Sequence, residues 1–138
     1  MNLIDRGREV INSQPFSKLL GAQLTRFEVG FAEITLAVSE PLKQHNGIVH
    51  GGVLAYLADN AMTFAGGSVL EDVLTLEMKV NYVRPGVGEK LIARASVLSH
   101  GRRQAVCRCD VMIADKTGEE KICAAAQGTI SSTKSASM

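Results

Sequence analysis

The strongest constraint on this chain is one long apolar stretch near its middle, GGVLAYLADNAMTFAGGSV, which contains a single charged residue. At about 100° per residue its apolar side chains fill most of a helical wheel, which predicts a helix from Gly51 or Gly52 to about Val69. A helix this apolar is buried nearly all round. A narrow polar stripe remains on it, formed by Tyr56, Asp59, Asn60 and Thr63.

The segments on either side predict one further helix and six strands. Residues 2–14 have helical periodicity, and Pro15 favours a stop after them. Two strands meet at Gly30, and the second alternates apolar and polar residues. Four strand-like runs follow the central helix; the first is TLEMKVNYV, whose alternation places Leu76, Met78, Val80 and Tyr82 on one face.

Two of the later strands are expected to pair across Gly101, and the last follows a turn at residues 116–118. We therefore expect an α+β fold in which one long central helix is wrapped by a curved antiparallel sheet of about six strands. Residues 1–138 show no linker or repeat, which predicts a single domain with a disordered tail at 132–138.

The composition excludes several classes of protein. The 138 residues are 46% apolar and carry a formal net charge of +1, so no overall charge attracts nucleic acid or a membrane. Charges within the first ten positions break any signal-peptide core, and we expect a cytoplasmic protein. Cys107, Cys109 and Cys123 have no CxxC spacing, which favours core packing over a disulfide or a metal site.

Asp59 needs a physical reason, because a buried and unpaired carboxylate is costly unless it becomes neutral. It is either a structural residue held by local donors such as Thr63, or a nucleophile or general base that faces a cleft. The free amides of Gly51 and Gly52 favour the second reading, since N–H groups at a helix start suit an oxyanion. Gly52 and Asp59 lie roughly 10 Å apart along the helix, too far to act on one carbonyl. A second copy packed antiparallel would bring its Asp59 to Gly51, which predicts a homodimer with interface sites.

The segment HNGIVHGGVLAYLADNAMTFA, together with VNYVRPG, resembles the signature of the hotdog-fold acyl-CoA thioesterases. The nearest branch is that of the phenylacetic acid degradation (PaaI-like) and 4-hydroxybenzoyl-CoA thioesterases. HGG with an acidic residue nine positions after the histidine is a fairly specific motif. The resemblance implies hydrolysis of an acyl-CoA to a free acid and CoA, with no cofactor and no metal, by a homodimer or homotetramer.

The resemblance also implies roles for individual residues. The backbone N–H of Gly51 resembles the donor that polarises the thioester carbonyl, and Asp59 of the partner subunit resembles the nucleophile or general base. Gln44 matches a Gln or Asn that assists at the thioester. His50 resembles the motif histidine, which positions the loop and contacts the leaving sulfur.

Other residues are expected to position water or to bind substrate. Thr63 and Thr75 each match a hydroxyl that holds water in some members, and the choice between them stays open. Arginines near the pocket mouth would contact the CoA phosphates, whereas Arg94 and Arg108 fit a solvated sheet face. Polar residues of the helix and of its preceding loop would line the pocket. The predicted substrate-binding residues are Asn46, Gly52, Tyr56, Asn60, Arg84, Arg102 and Arg103.

Two alternative functions remain open at the level of the sequence. A hotdog dehydratase or hydratase would use a histidine and an acid as a proton-moving pair, and His50 with Asp59 could supply one. A non-catalytic acyl-CoA-binding module would bind CoA without turnover. The acyl group is expected to be aryl or medium-chain, by analogy with the family alone.

Overall fold

The computed structural model describes residues 1–134, and its elements follow the predicted order. Its helices are α1 (Leu3–Ser13), α2 (Pro15–Leu20) and α3 (Gly51–Leu70). Its strands are β1 (Gln23–Glu28), β2 (Phe31–Ala37), β3 (Val73–Tyr82), β4 (Lys90–His100), β5 (Gln104–Ala114) and β6 (Glu120–Ser132). A 3₁₀ turn, Glu40–Leu42, lies in the loop before α3. Within residues 1–134, no helix is both long and apolar enough to cross a membrane.

The predicted start of the disordered tail at residue 132 is wrong. Ser132 is the last residue of β6, and the Thr133 N–H donates to the carbonyl of Asp72 at 2.9 Å. Lys134 forms an ion pair with Glu71. The rest of the predicted tail, residues 135–138, lies outside the described residues.

Pro15 ends one helix and begins another. The predicted first helix is confirmed as α1, which Asn2 caps by accepting a hydrogen bond from the Asp5 N–H at 3.0 Å. The sequence did not predict α2, which starts at Pro15 itself. Proline is well suited to a first helical position, because its fixed φ matches the helix and the N–H there has no partner anyway.

The six strands form one antiparallel sheet in the order β1-β2-β4-β5-β6-β3. The hairpin at Gly30 and the pairing across Gly101 are confirmed, as is the turn before β6. Helix α3 packs against all six strands, and its residues Leu57, Ala61, Met62 and Ala65 are 0% exposed. The predicted architecture, one long helix wrapped by a six-stranded sheet, is therefore confirmed.

The three cysteines belong to this core. Cys107, Cys109 and Cys123 are fully buried and free, which confirms the prediction of core packing. Burial raises the pKa of the Cys107 thiol to about 11 and that of the Cys109 thiol to about 12. Both thiols are therefore protonated at neutral pH.

Strand β3 departs from its predicted alternation. The pairing with β6 shifts register between Thr75 and Glu77, so Leu76 is the extra residue of a bulge. Thr75 and Met78 pair with the buried Ile130 and Gly128, whereas Leu76 is 58% exposed. The prediction that Leu76 shares a face with Met78 and Val80 is wrong, because one inserted residue reverses the side to which the preceding residues point.

On the outer face of the sheet, Arg94 of β4 joins a carboxylate from the adjacent strand β2 to one from β6, two strands away on the other side. Its guanidinium contacts Glu33 at 2.8 Å and Glu120 at 2.7 Å. Burial raises the pKa of Glu33, but hydrogen bonds from Arg94 and Thr25 outweigh it, and the net shift is downward. The hydrogen bond from Arg94 likewise lowers the pKa of Glu120. As the sequence predicts, Arg94 and Arg108 serve the sheet face, where Arg108 pairs with Asp110.

We expect Arg94→Met to lower the free energy of unfolding by about 1–2 kcal/mol at neutral pH, because two carboxylates lose their partner. Both folded-state pKa values lie below the ordinary 4.5. This stabilisation is therefore present above pH 4.5 and is lost as the pH falls through the folded-state pKa values. Urea denaturation at neutral pH and near pH 3 measures this. The difference in the free energy of unfolding between wild type and variant should be smaller at pH 3 than at neutral pH.

Arg108→Met is the matched control for this measurement. The Arg108–Asp110 pair is 53% and 42% exposed, so its loss should change stability little at either pH. If the loss of unfolding free energy in Arg94→Met is the same at both pH values, the proposed role of the two carboxylates is contradicted.

Candidate active site

The start of α3 leaves one backbone amide free. His50 is the N-cap: its Nδ1 accepts a hydrogen bond from the Gly52 N–H at 2.8 Å, and its carbonyl accepts one from the Val53 N–H at 2.9 Å. The Gly51 N–H has no acceptor among residues 1–134. Because His50 Nδ1 accepts a hydrogen bond from an N–H group, the ring N–H of the neutral tautomer is on Nε2, and the residue is exposed. Gly51, rather than Gly52, therefore presents a donor to a ligand.

A cleft of about 390 Å³ surrounds this free amide and is lined by Gln44, Gly51, Tyr82 and Arg84 among others. A Cβ added to Gly51 would lie 3.3 Å from Cε1 of Tyr82, so glycine keeps the approach to the amide open. Gln44 is held in the preceding turn, where its N–H donates to the Ile48 carbonyl at 2.9 Å. Asn46 shapes the same exposed turn.

Asp59 lies further along α3 and is held from the sheet. Its Oδ1 accepts a hydrogen bond from the Thr75 hydroxyl at 2.5 Å, and both side chains are half-buried. The β3 bulge that follows Thr75 is what turns this residue inward. The carboxylate thus has one oxygen engaged by Thr75, and no other hydrogen bond to it occurs within the described chain.

Thr63, one helical turn after Asp59, is arranged differently. Its hydroxyl donates to the carbonyl of Asn60 at 2.7 Å, which uses its proton within the helix. The Thr63 oxygen can then act toward a ligand as an acceptor. The structure therefore separates the two threonines chemically: Thr75 donates to Asp59, and Thr63 has lone pairs to offer.

Tyr56 and Asn60 connect α3 to the N-terminal helices. The Tyr56 hydroxyl donates to Oγ of Ser17 at 2.5 Å, and the Asn60 amide donates to Oε1 of Gln14 at 3.0 Å and to the Tyr56 oxygen at 3.1 Å. Ser17 is 1% exposed and donates to Gln14 at 2.5 Å. Sequence reasoning missed this network because α2, which carries Ser17, was not predicted.

The predicted phosphate-binding arginines lie at opposite ends of the sheet. Arg84 follows β3 beside the start of α3, and its guanidinium donates to the Ile122 carbonyl at 3.1 Å. Arg102 and Arg103 form the β4–β5 turn, next to the end of β6, and line a second cleft of about 860 Å³. Within one protomer these arginines cannot contact the same ligand end.

The Gly51 amide and the Asp59 carboxylate are also separated within one chain. Eight residues of helix place them roughly 12 Å apart along the axis of α3. One thioester carbonyl cannot lie against both groups of the same protomer. Among residues 1–134, no three His, Cys, Asp or Glu side chains are grouped to hold a metal ion.

Comparison with known proteins identifies the family. The family model of the thioesterase superfamily matches residues 46–119, more than half of the chain. The chain is 33% identical over 124 residues to the medium/long-chain acyl-CoA thioesterase YigI of Escherichia coli (strain K12), with 76% of this chain and 79% of that protein covered. It is 29% identical over 97 residues to the acyl-coenzyme A thioesterase PaaI of the same organism, with 70% and 69% covered.

A solved structure supports the same assignment. The crystal structure of a thioesterase family protein from Silicibacter pomeroyi matches with a TM-score of 0.89 and 29% identity, covering 94% of this chain and 97% of that one. The chain therefore belongs to the thioesterase superfamily, and its fold is the hotdog fold of the PaaI-like thioesterases.

We expect Ser17→Ala to lower the free energy of unfolding by about 1–3 kcal/mol, because Tyr56 and Asn60 lose a buried partner. Urea denaturation measures this loss. Ser13→Ala is the control, since Ser13 is exposed and its hydroxyl bonds to the Val10 carbonyl of its own helix. A Ser17→Ala variant as stable as Ser13→Ala would contradict the structural role of the network.

Proposed function

We propose that the chain hydrolyses acyl-CoA thioesters to a free acid and CoA at sites shared between two subunits. The proposal rests on two groups of α3. The Gly51 N–H is free to donate to a ligand, and the Asp59 carboxylate is held in place by a hydrogen bond from Thr75. Attack on a thioester carbonyl requires an N–H donor for the carbonyl oxygen and a carboxylate that acts on the attacking water. The named activities of YigI and PaaI support the same reaction.

A second copy of the chain brings these groups together. Within the described residues β3 pairs with β6 alone, so its outer edge is free, and Leu74 and Leu76 on it are 65% and 58% exposed. Such an edge is prone to pair with another strand. Antiparallel pairing of β3 with the partner's β3 sets the two α3 helices antiparallel, with Asp59 of the partner subunit toward Gly51. A homodimer is then the smallest active unit, and two dimers would form the homotetramer that the family resemblance suggests.

The reaction follows from the geometry of the two half-sites. The Gly51 N–H binds the thioester carbonyl oxygen and stabilises the oxyanion that forms on it. Asp59 of the partner subunit, as general base, takes one proton from a water whose oxygen attacks the carbonyl carbon. The carbon–sulfur bond then breaks as the oxyanion collapses, the Nε2–H of His50 faces the departing sulfur, and the proton held by Asp59 is transferred to that thiolate, which restores the base. The acid and the CoA thiol are released.

The two threonines have separate tasks in this mechanism. Thr75 fixes Oδ1 of Asp59, which leaves Oδ2 to receive the water proton. Thr63 accepts the second hydrogen of the water through its free lone pairs. Asp59 and Thr63 thus each accept one hydrogen of the water and orient its oxygen toward the carbonyl carbon. This arrangement favours Asp59 as a general base over Asp59 as a nucleophile.

Gln44 and the three predicted arginines bind the substrate in this proposal. Gln44 shares the Gly51 cleft and assists at the thioester, and Arg84 at the same cleft contacts the CoA arm. Arg102 and Arg103 reach the phosphates from the partner subunit, because antiparallel pairing brings that end of its sheet beside Arg84. The name of YigI specifies medium- and long-chain acyl-CoA, which supports a medium-chain acyl group, and an aryl group is suggested by the family resemblance alone.

We expect Asp59→Asn to lower kcat about a thousandfold with an unchanged fold, because the base is lost and the shape is kept. Thiol release from phenylacetyl-, hydroxybenzoyl-, hexanoyl- and palmitoyl-CoA measures this. Asp110→Asn, an exposed carboxylate on the outer sheet face, is the control and should retain full activity.

Thr63→Val should lower kcat about tenfold, and Thr63→Ser should restore it.

The same assay separates the alternative functions. Tight CoA binding without hydrolysis of any thioester would contradict the proposal and favour a binding module. Hydration of crotonyl-CoA without thiol release would favour the dehydratase. Full activity in Asp59→Asn would remove the assigned base.

A further inference from the structure

A cleft between α1 and α3 extends from Thr63, one helical turn after Asp59, toward the end of α3. Its volume is about 570 Å³, within the range of small-molecule sites. Its lining has five apolar side chains and four uncharged polar ones, and three exposed charged residues lie at its rim. The apolar lining comes from Leu3, Val10, Phe27, Phe64 and Val73. The rim consists of Arg6, Glu71 and Asp72.

This α1–α3 cleft begins close to the Asp59–Thr75 pair. Thr63 is in its lining and stands one turn after Asp59 on α3. On β3, Val73 is in the lining and lies two residues before Thr75, the hydroxyl that holds Asp59. Two neighbouring elements therefore lead from the Asp59–Thr75 pair into the cleft. A group attached to a carbonyl beside Asp59 would enter it directly.

We propose that the α1–α3 cleft receives the acyl group of the thioester, in the same subunit that supplies Asp59, and that Gly67 sets the chain length it accepts. The inference rests on the proposed thioesterase function. The CoA arm then leaves in the other direction, through the Gly51 cleft of the partner subunit. The apolar lining selects an unbranched or aryl acyl group, and the charged rim limits how long its apolar end can be.

The two adjacent glycines of α3 show why Gly67 is the sensitive position. A Cβ on Gly66 would lie 2.9 Å from Ile130, so core packing explains that glycine. A Cβ on Gly67 would meet Cγ2 of Val73 at 3.6 Å, an ordinary contact, and Gly67 lines the cleft. Glycine within a helix costs about 1 kcal/mol relative to alanine, and no packing within the protomer requires it here. Its absent side chain leaves space for a ligand.

Gly67→Leu tests this assignment with butyryl-, hexanoyl-, octanoyl-, decanoyl- and phenylacetyl-CoA. We expect kcat/KM for the octanoyl and decanoyl substrates to fall about tenfold or more, with butyryl-CoA within about twofold of wild type. Gly67→Ala should fold well and shift the preference in the same direction by less. Gly66→Ala is the matched control: it should lower thermal stability and leave the ranking of chain lengths unchanged. An equal loss for every chain length in Gly67→Leu, or a dissociated dimer, would overturn the proposal.

Subunit mixing tests whether the pocket and the base belong to one chain. In a dimer of an Asp59→Asn chain and a Gly67→Leu chain, the only intact Asp59 belongs to the chain whose cleft is filled by leucine. This dimer should prefer short acyl groups. A dimer of wild type with an Asp59→Asn, Gly67→Leu double variant should keep the wild-type preference. The reverse pattern would place the acyl group in the other subunit and overturn the assignment.

Binding of S-alkyl-CoA thioethers, which cannot be hydrolysed, separates this inference from the proposed function. S-decyl-CoA should bind more tightly than S-butyl-CoA, and Gly67→Leu should remove the difference. If these binding results are obtained but the protein hydrolyses no thioester, the acyl pocket is supported and the proposed function is contradicted. If hydrolysis is normal and Gly67→Leu leaves both binding and chain length unchanged, the pocket fails and the function stands.

Discussion

The burial of α3 is the constraint on which the rest of the structure depends. A helix that is apolar on nearly every side needs cover all round, and a curved sheet whose six strands all contact it provides that cover. Small residues allow close approach, as Gly66 does against Ile130. The cost of placing Asp59 on such a helix is met by Thr75, which the β3 bulge turns inward as a donor.

The same helix divides the chemistry into two halves. Its start offers the Gly51 amide because the His50 cap satisfies the next one, and its middle offers the Asp59 carboxylate. The two groups are too far apart to meet within one chain. In the proposed function, the free edge of β3 is where two chains combine their halves. That proposal links stability, assembly and activity through α3 and β3.

Much of this could be predicted from the sequence, because the relevant signals are local. The start of α3 at Gly51, the hairpin at Gly30 and the buried alternation of Cys107 and Cys109 each follow from a few neighbouring residues. The exposed position of Leu76 could not be predicted, since a bulge is decided by the pairing of β3 with β6.

The site shows the same division between local and long-range information. The sequence singles out Gly51 and Asp59 through motif and periodicity. It does not show that Arg84 and Arg102 lie at opposite ends of the sheet, because strand order decides that. It also misses Ser17 and Gln14, whose contacts with Tyr56 and Asn60 join segments about forty residues apart.

Subunit complementation tests the central claim, a site shared between Gly51 of one chain and Asp59 of the other. Gly51→Pro removes the free N–H, and the extended His50 before it, at φ −61° and ψ 135°, tolerates proline. Gly51→Ala keeps the N–H and is the control for added bulk. Gly51→Pro and Asp59→Asn dimers should each be inactive, while a random mixture should recover about one quarter of wild-type thiol release, because half the dimers hold one intact site. A mixture as inactive as its components would contradict the shared site.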